Sequence, residues 1–190
     1  MATTFAKIVS ILKSAENLKF KTHPSKSEAL VVFPTREFTN IQGDKLVPLL
    51  ITIQEKGEFV RIISPSVFDL QKCNHPNALV KALLETAFKT KLVKWELNGK
   101  DGEVRASVDI PIENSRLKKK QFLRCLVSIP VILDQYYQSI KDAMDNGIVD
   151  IKRSGLPTED ASKPLELADL IKLAGGVMGL RKLLKDSGKL

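Results

Sequence analysis

The feature that most constrains the fold is the order in which helical and strand-like periodicities follow one another along residues 1–146. Apolar residues recur at three- and four-residue spacing over residues 4–18, 78–88 and 122–144, which is the spacing of one helical face. Between these segments lie short runs typical of strands. The order helix, three strands, helix, two strands, helix predicts an α+β domain whose antiparallel sheet has about five strands packed on helices.

The hairpin near residue 100 is the clearest of these patterns. Apolar and polar residues alternate over 93–97 and again over 103–110, and an Asn-Gly and an Asp-Gly pair lie between the two runs. One face of this hairpin is apolar and the other is polar, which is typical of a sheet covered on one side only. We therefore expect the opposite side of the sheet to be open.

The strands before the middle helix are marked by β-branched residues and by turn formers. Residues 29–33 predict one strand, and residues 48–55 and 59–63 predict an antiparallel hairpin that ends at Pro65. Residues 19–27 form a polar stretch, and residues 36–45 are predicted as a loop.

The two later helices have features beyond a simple core-facing stripe. On the middle helix, the apolar set from Leu79 to Phe88 is broad enough to serve both a core and an interface. The last helical pattern contains Pro130, whose ring would clash with the carbonyl of Leu126. We therefore expect a kink at Pro130 or a break into two helices.

The chain beyond residue 146 differs in character from the domain before it. Residues 147–164 are predicted as a linker, and residues 165–190, here called the C-terminal segment, have apolar residues at helical spacing. Three glycines interrupt this pattern, and each costs about 1 kcal/mol of helix stability relative to alanine. Such a helix is expected to dock on its own domain, on a partner or on a membrane surface, with protein docking preferred because aromatic anchors are lacking. The candidate docking residues are Leu167, Leu170, Ile171, Ala174, Val177, Met178 and Leu184.

The formal net charge of +8 favours attraction to an anionic partner. The strongest local cluster lies where the last helix begins, and positive charge there opposes the helix dipole by about 0.3–1 kcal/mol. The cluster is either a solvated helix start or a nucleic-acid contact. Its members, here called the basic cluster, are Arg116, Lys118, Lys119, Lys120 and Arg124.

No pattern in the sequence indicates catalysis. His23 and His75 lie in expected loops without a neighbouring motif, and the sequence has no glycine-rich phosphate loop, metal-ligand pair or nucleophile elbow. We therefore expect no enzyme activity and no cofactor, and an uncharacterised enzyme is the third alternative.

Cys73 and Cys125 have neither zinc-site nor redox spacing, and no segment reaches the roughly 20 apolar residues that span a bilayer. These features predict a cytoplasmic protein.

The order of segments resembles the type III secretion chaperone-like fold, in particular the YbjN-type group of bacterial proteins. The resemblance covers residues 3–146 and leaves the C-terminal segment outside. It implies an α+β sandwich, frequent homodimers and binding of other proteins without chemistry, although secretion chaperones of this fold are typically acidic and this chain is basic. Its local markers are the strand 59–63, the helix 78–88, the hairpin 95–110 and the helix 126–137 with Leu133-Asp134.

These features together predict a domain at residues 1–146, a linker at 147–164 and the C-terminal segment at 165–190. The expected function is that of a non-enzymatic, chaperone-like or adaptor module. It would present a sheet face, a helix groove or the C-terminal segment to another polypeptide, including a second copy of the chain. The alternative is a nucleic-acid-associated regulator that uses the basic cluster.

Overall fold

The computed structural model describes residues 2–15, 18–113 and 115–153. Within these residues three α-helices accompany a six-stranded antiparallel sheet, which confirms the predicted α+β class. The helices are α1 (Phe5–Lys13), α2 (Pro76–Lys89) and α3 (Lys119–Asn146). The strands are β1 (Phe20–His23), β2 (Glu28–Pro34), β3 (Leu46–Gln54), β4 (Phe59–Asp69), β5 (Lys94–Leu97) and β6 (Glu103–Pro111).

The sheet has the strand order β1-β2-β3-β4-β6-β5, with every neighbouring pair antiparallel. The strand that the sequence did not predict is β1, which lies at one edge of the sheet within the polar stretch 19–27. Three of its four side chains are exposed, so apolar alternation could not reveal it. Backbone pairing with β2 holds it in place.

The pairing of β4 with β3 ends at Ile63, directly before Ser64 and Pro65, as predicted for this hairpin, but β4 itself continues past Pro65 to Asp69 by pairing with β6. The ladder between β4 and β6 shifts register between Ser64 and Phe68, and Ser66 has a left-handed φ of 48°. The backbone N–H and the hydroxyl of Ser66 both donate to Glu103 at 3.0 Å, which fixes this irregularity. Pro65 therefore lies where the ladder is already interrupted, and its missing N–H is tolerated there.

Helix α3 runs through Pro130 as one element, so of the two predicted alternatives, a kink or a break into two helices, the break does not occur. A proline in a helix interior costs about 3 kcal/mol. Leu126 and Ile129 before it and Leu133 after it are completely buried, and burying one such side chain contributes about 1.5–3 kcal/mol. Because both halves of α3 pack on the core, the helix persists across the proline.

The two faces of the sheet differ in burial, in agreement with the alternation seen in the sequence. On the face toward the helices, Leu49, Ile62 and Val108 are buried, and α3 contacts β4 and β6 while α2 contacts β5. On the opposite face, Leu30 is exposed and Leu50 is half-buried. We call this second side the open face.

Residues 147–153, the start of the predicted linker, pack against the domain. Ile151 is 5% exposed, and the hydroxyl of Ser139 in α3 both donates to and accepts from the backbone of Lys152 at 3.1 and 3.0 Å. Arg153 donates from Nε to the hydroxyl of Tyr136 at 3.0 Å. The described chain therefore ends against α3.

Candidate protein-docking surfaces

Helix α2 carries apolar side chains on two of its faces. Leu79 and Leu83 are buried in the core. On the outer side, Val80, Leu84 and Phe88 recur every fourth residue and are 36%, 65% and 92% exposed. Residues four positions apart lie on the same side of a helix, so these three form one stripe, the α2 apolar row. The broad stripe seen in the sequence thus divides into a core face and an outward face.

A shallow, open cavity of about 440 Å³ lies beside Leu84 and Phe88, the second half of the α2 apolar row. Its charged rim includes an ion pair of 4.0 Å between Lys81 and Glu85. An apolar floor with a charged rim suits the apolar face of an amphipathic helix. The cavity is lined by Lys81, Leu84, Glu85, Phe88 and Lys89.

Both ends of α2 are fixed to the region around the end of α3. At the start, Pro76 occupies the first turn and the backbone N–H of His75 donates to the carbonyl of Met144 at 3.1 Å. At the end, Lys89 donates from Nζ to the carbonyl of Ile151 at 2.6 Å. The α2 apolar row is therefore presented on a helix that is held at both ends.

The open face of the sheet holds a second apolar patch. Leu30, Leu50 and Ile63 are successive cross-strand partners on β2, β3 and β4, and Val32 pairs with Pro48 beside them. Leu30 is 40% exposed, and the other four are half-buried. This patch is more shielded than the α2 apolar row.

Next to this patch, the open face carries a network of ion pairs around Glu96. Arg61 donates to Glu96 and lies 3.5 Å from Asp109, and Arg105 Nε lies 3.1 Å from Glu96. Lys94 contacts both carboxylates. The Nε atoms of Arg61 and Arg105 lie within ion-pair distance of these carboxylates, but they do not form aligned hydrogen bonds with them. This edge of the sheet therefore neutralises most of its own charge and offers little to an ionic partner.

All five members of the basic cluster are exposed at the N-terminal end of α3. The first turn of α3 has no acidic residue, and Lys118 at the N-cap makes no side-chain capping bond. Lys119 donates from Nζ to the carbonyl of Ser14 at 2.9 Å, which joins the cluster to the end of α1. Leu117 is buried and fixes the segment. Among the described residues, no acidic side chain forms an ion pair with this cluster.

The structure does not bring the titratable residues of the sequence analysis into one site. Nδ1 of His23 lies 3.1 Å from the hydroxyl of Ser25, whereas the ring of His75 packs against Gly147. Burial raises the pKa of the Cys73 and Cys125 thiols above the ordinary value, which disfavours the reactive thiolate. Within residues 2–15, 18–113 and 115–153, no group of three His, Cys, Asp or Glu residues could hold a metal ion.

The predicted docking residues of the C-terminal segment, from Leu167 to Leu184, lie outside the described residues. In the part of the chain that the structure describes, no helix is long and apolar enough to span a membrane. No protein-family model and no curated protein matches this chain. The function is therefore inferred from the surfaces described above.

Proposed function

We propose that this protein is a non-enzymatic binding module, of chaperone-like or adaptor type, that captures an amphipathic helix of another polypeptide on the α2 apolar row. The observation that carries the proposal is the exposure of Phe88, 92%, beside Leu84, 65%. Burying a side chain of this size contributes about 1.5–3 kcal/mol. Within the described residues nothing buries these two side chains, although the opposite face of α2 is already packed in the core.

The geometry of the row suits recognition of a helix. From Val80 to Phe88 the row rises about 12 Å at 1.5 Å per residue, which is slightly more than two helical turns. A partner helix with apolar residues at i, i+3, i+4 and i+7 presents a stripe of the same length. The row is flanked by Lys81, Glu85 and Lys89, so the rim can pair with charges of either sign. The resemblance to secretion chaperones supports the same class of function.

Replacing Phe88 with aspartate in the full chain is expected to weaken binding of such a helix by about tenfold or more, because a charge then faces the apolar contact and 1.4 kcal/mol corresponds to tenfold. The probe is a fluorescent amphipathic peptide of about five turns with leucines at i, i+3, i+4 and i+7. Fluorescence anisotropy gives the dissociation constant, and circular dichroism shows that the variant is folded.

The matched control is Ile41→Asp, which makes a comparable change at a side chain that is 47% exposed in the loop 36–45. The control is expected to bind the peptide as the unaltered chain does. Equal affinities for all three proteins that persist when Leu170 and Ile171 are replaced with aspartate, which removes any cover of the row by the C-terminal segment, would contradict the proposal. The mass of the unaltered chain in solution is compared at several concentrations. If it rises with concentration and Phe88→Asp restores the mass of a monomer, then the helix bound on the row belongs to a second copy of the chain.

A second candidate function, nucleic-acid binding, is favoured by the exposed basic cluster that lacks acidic partners among the described residues. Phosphates would replace the missing counter-charges. Each neutralised phosphate releases condensed counterions, so binding by this surface should fall steeply with salt.

Replacing Lys120 with glutamate separates the two interpretations of the basic cluster. The variant is expected to be more stable by about 0.3–1 kcal/mol, because an anion in the first turn of α3 complements the helix dipole. If the cluster binds phosphates, the same change weakens retardation of a short duplex at low salt. Urea unfolding and gel retardation measure the two effects, with exposed Lys100→Glu as the control. Absence of retardation by the unaltered chain at low salt would exclude this function.

A further inference from the structure

The last described residues bring the chain close to the α2 apolar row. Lys89 lines the cavity along the row, and its Nζ donates to the carbonyl of Ile151 at 2.6 Å. Ile151 is buried, and Arg153 is bonded to Tyr136 in α3. The remainder of the chain therefore starts near the end of the helix that carries the row.

The chain beyond Arg153 is long enough to cover the row from this starting point. Residues 154–164 precede the C-terminal segment, and these eleven residues can reach roughly 36 Å at about 3.3 Å per residue. The row itself is only about 12 Å long. The C-terminal segment can thus meet any part of the row within the same molecule.

The composition of the C-terminal segment complements the row. The segment has aliphatic residues at helical spacing but no aromatic residue, and it is predicted to be marginal without a docking surface. Ala174, Gly175 and Gly176 leave little side-chain bulk in its middle, which permits close approach of a large exposed ring. Phe88 supplies such a ring, at 92% exposure.

From these observations we infer that the C-terminal segment docks on the α2 apolar row of its own chain and competes there with the partner helix. This inference rests on the proposed function of the row. A tethered segment acts at an effective concentration on the order of 1 mM, so even a weak contact is substantially occupied. A free partner must then bind tightly enough to displace it, which makes the C-terminal segment a built-in competitor.

Hydrogen exchange of the full chain tests the docking directly. Backbone amides of residues 165–184 are expected to exchange at least about tenfold more slowly in the unaltered chain than in Phe88→Asp. The Ile41→Asp control should retain the protection. The protection is expected to be the same at all protein concentrations, with a monomeric mass by light scattering. Equal exchange in the unaltered and Phe88→Asp chains, or protection that depends on concentration, would overturn docking within one molecule.

Peptide binding by a full chain with an altered C-terminal segment tests the competition. Replacing Leu170 and Ile171 together with aspartate is expected to tighten binding of the amphipathic probe peptide by about tenfold or more, because the competitor is removed. Adding Phe88→Asp to that variant should abolish the gain. Equal binding with and without the Leu170 and Ile171 changes, but loss in Phe88→Asp, would overturn the inference and leave the proposed function intact. Protection of the C-terminal segment without peptide binding, even by the Leu170 and Ile171 variant, would overturn the proposed function and the competition, and would leave only docking within the chain.

Discussion

Replacing Phe38 with alanine is expected to lower the free energy of unfolding by about 3–5 kcal/mol, whereas the same change at Phe88 should lower it by only about 1.4 kcal/mol. Phe38 is 1% exposed, and its ring packs edge-on against Tyr137 and Phe68 at centroid distances of 5.3 and 6.1 Å. Truncation there leaves a cavity between well-packed neighbours. Truncation of Phe88 leaves no cavity. Its smaller loss of stability is that of releasing the C-terminal segment from the α2 apolar row, where the docked state is favoured about tenfold over the undocked state.

Urea unfolding of the two variants beside the unaltered chain measures this difference. The comparison is matched because both substitutions remove the same atoms, so differences in the unfolded state largely cancel. A loss at Phe88 as large as that at Phe38 would show that Phe88 belongs to the folding core. It would also remove the main support for a binding role of the α2 apolar row.

The contrast between Phe38 and Phe88 shows that the periodicity of the sequence predicts secondary structure better than it predicts which side chains are buried. Residues 36–45 were predicted as a loop, and no regular element includes Phe38. Its burial depends on contacts with Phe68 and Tyr137, which lie 30 and 99 positions away in the chain. Local spacing carries no information about such contacts, so the sequence identifies the loop but not its part in the core.

Helix α2 shows the same limit at the candidate site. Its apolar residues were predicted to be numerous enough for a core and an interface, because a stripe of that width exceeds what one face needs. Which side of the stripe faces outward depends on how α2 packs on α3 and β5, and this is a tertiary property. The sequence could therefore predict an apolar surface on α2 beyond the one in the core, but it could not assign Leu84 and Phe88 to that surface.

The ion-pair network on the open face was hidden for a related reason. The alternation of β5 and β6 places Lys94, Glu96, Arg105 and Asp109 on one side of their hairpin. Arg61 belongs to a different hairpin and joins them only because β4 pairs with β6 in the register that sets Arg61 opposite Asp109. Pairing between distant strands is not encoded in either strand alone.

The second large effect is expected at Asp134, where replacement with alanine should lower the free energy of unfolding by about 2–4 kcal/mol. The Asp134 carboxylate accepts hydrogen bonds from the backbone N–H groups of Arg36, Glu37 and Phe38 at 2.9, 2.7 and 2.9 Å. Bonds to a charged acceptor contribute about 1.5–3 kcal/mol each and are not additive when they share one group. Asp134→Asn keeps an acceptor oxygen and should therefore lose less than Asp134→Ala.

A double-mutant cycle between Asp134 and Phe38 tests whether the carboxylate acts by holding the loop over the core. Asp134 binds the backbone of the residue whose ring fills that part of the core, so each change should weaken the contribution of the other. The double variant is expected to lose less stability than the two single losses combined, with a coupling of about 0.5–3 kcal/mol. Additive losses would mean that the ring packs without help from the carboxylate, and the anchoring role of Asp134 would then be wrong. Coupling of the expected size would show that one charged side chain on α3 turns an irregular loop into part of the core.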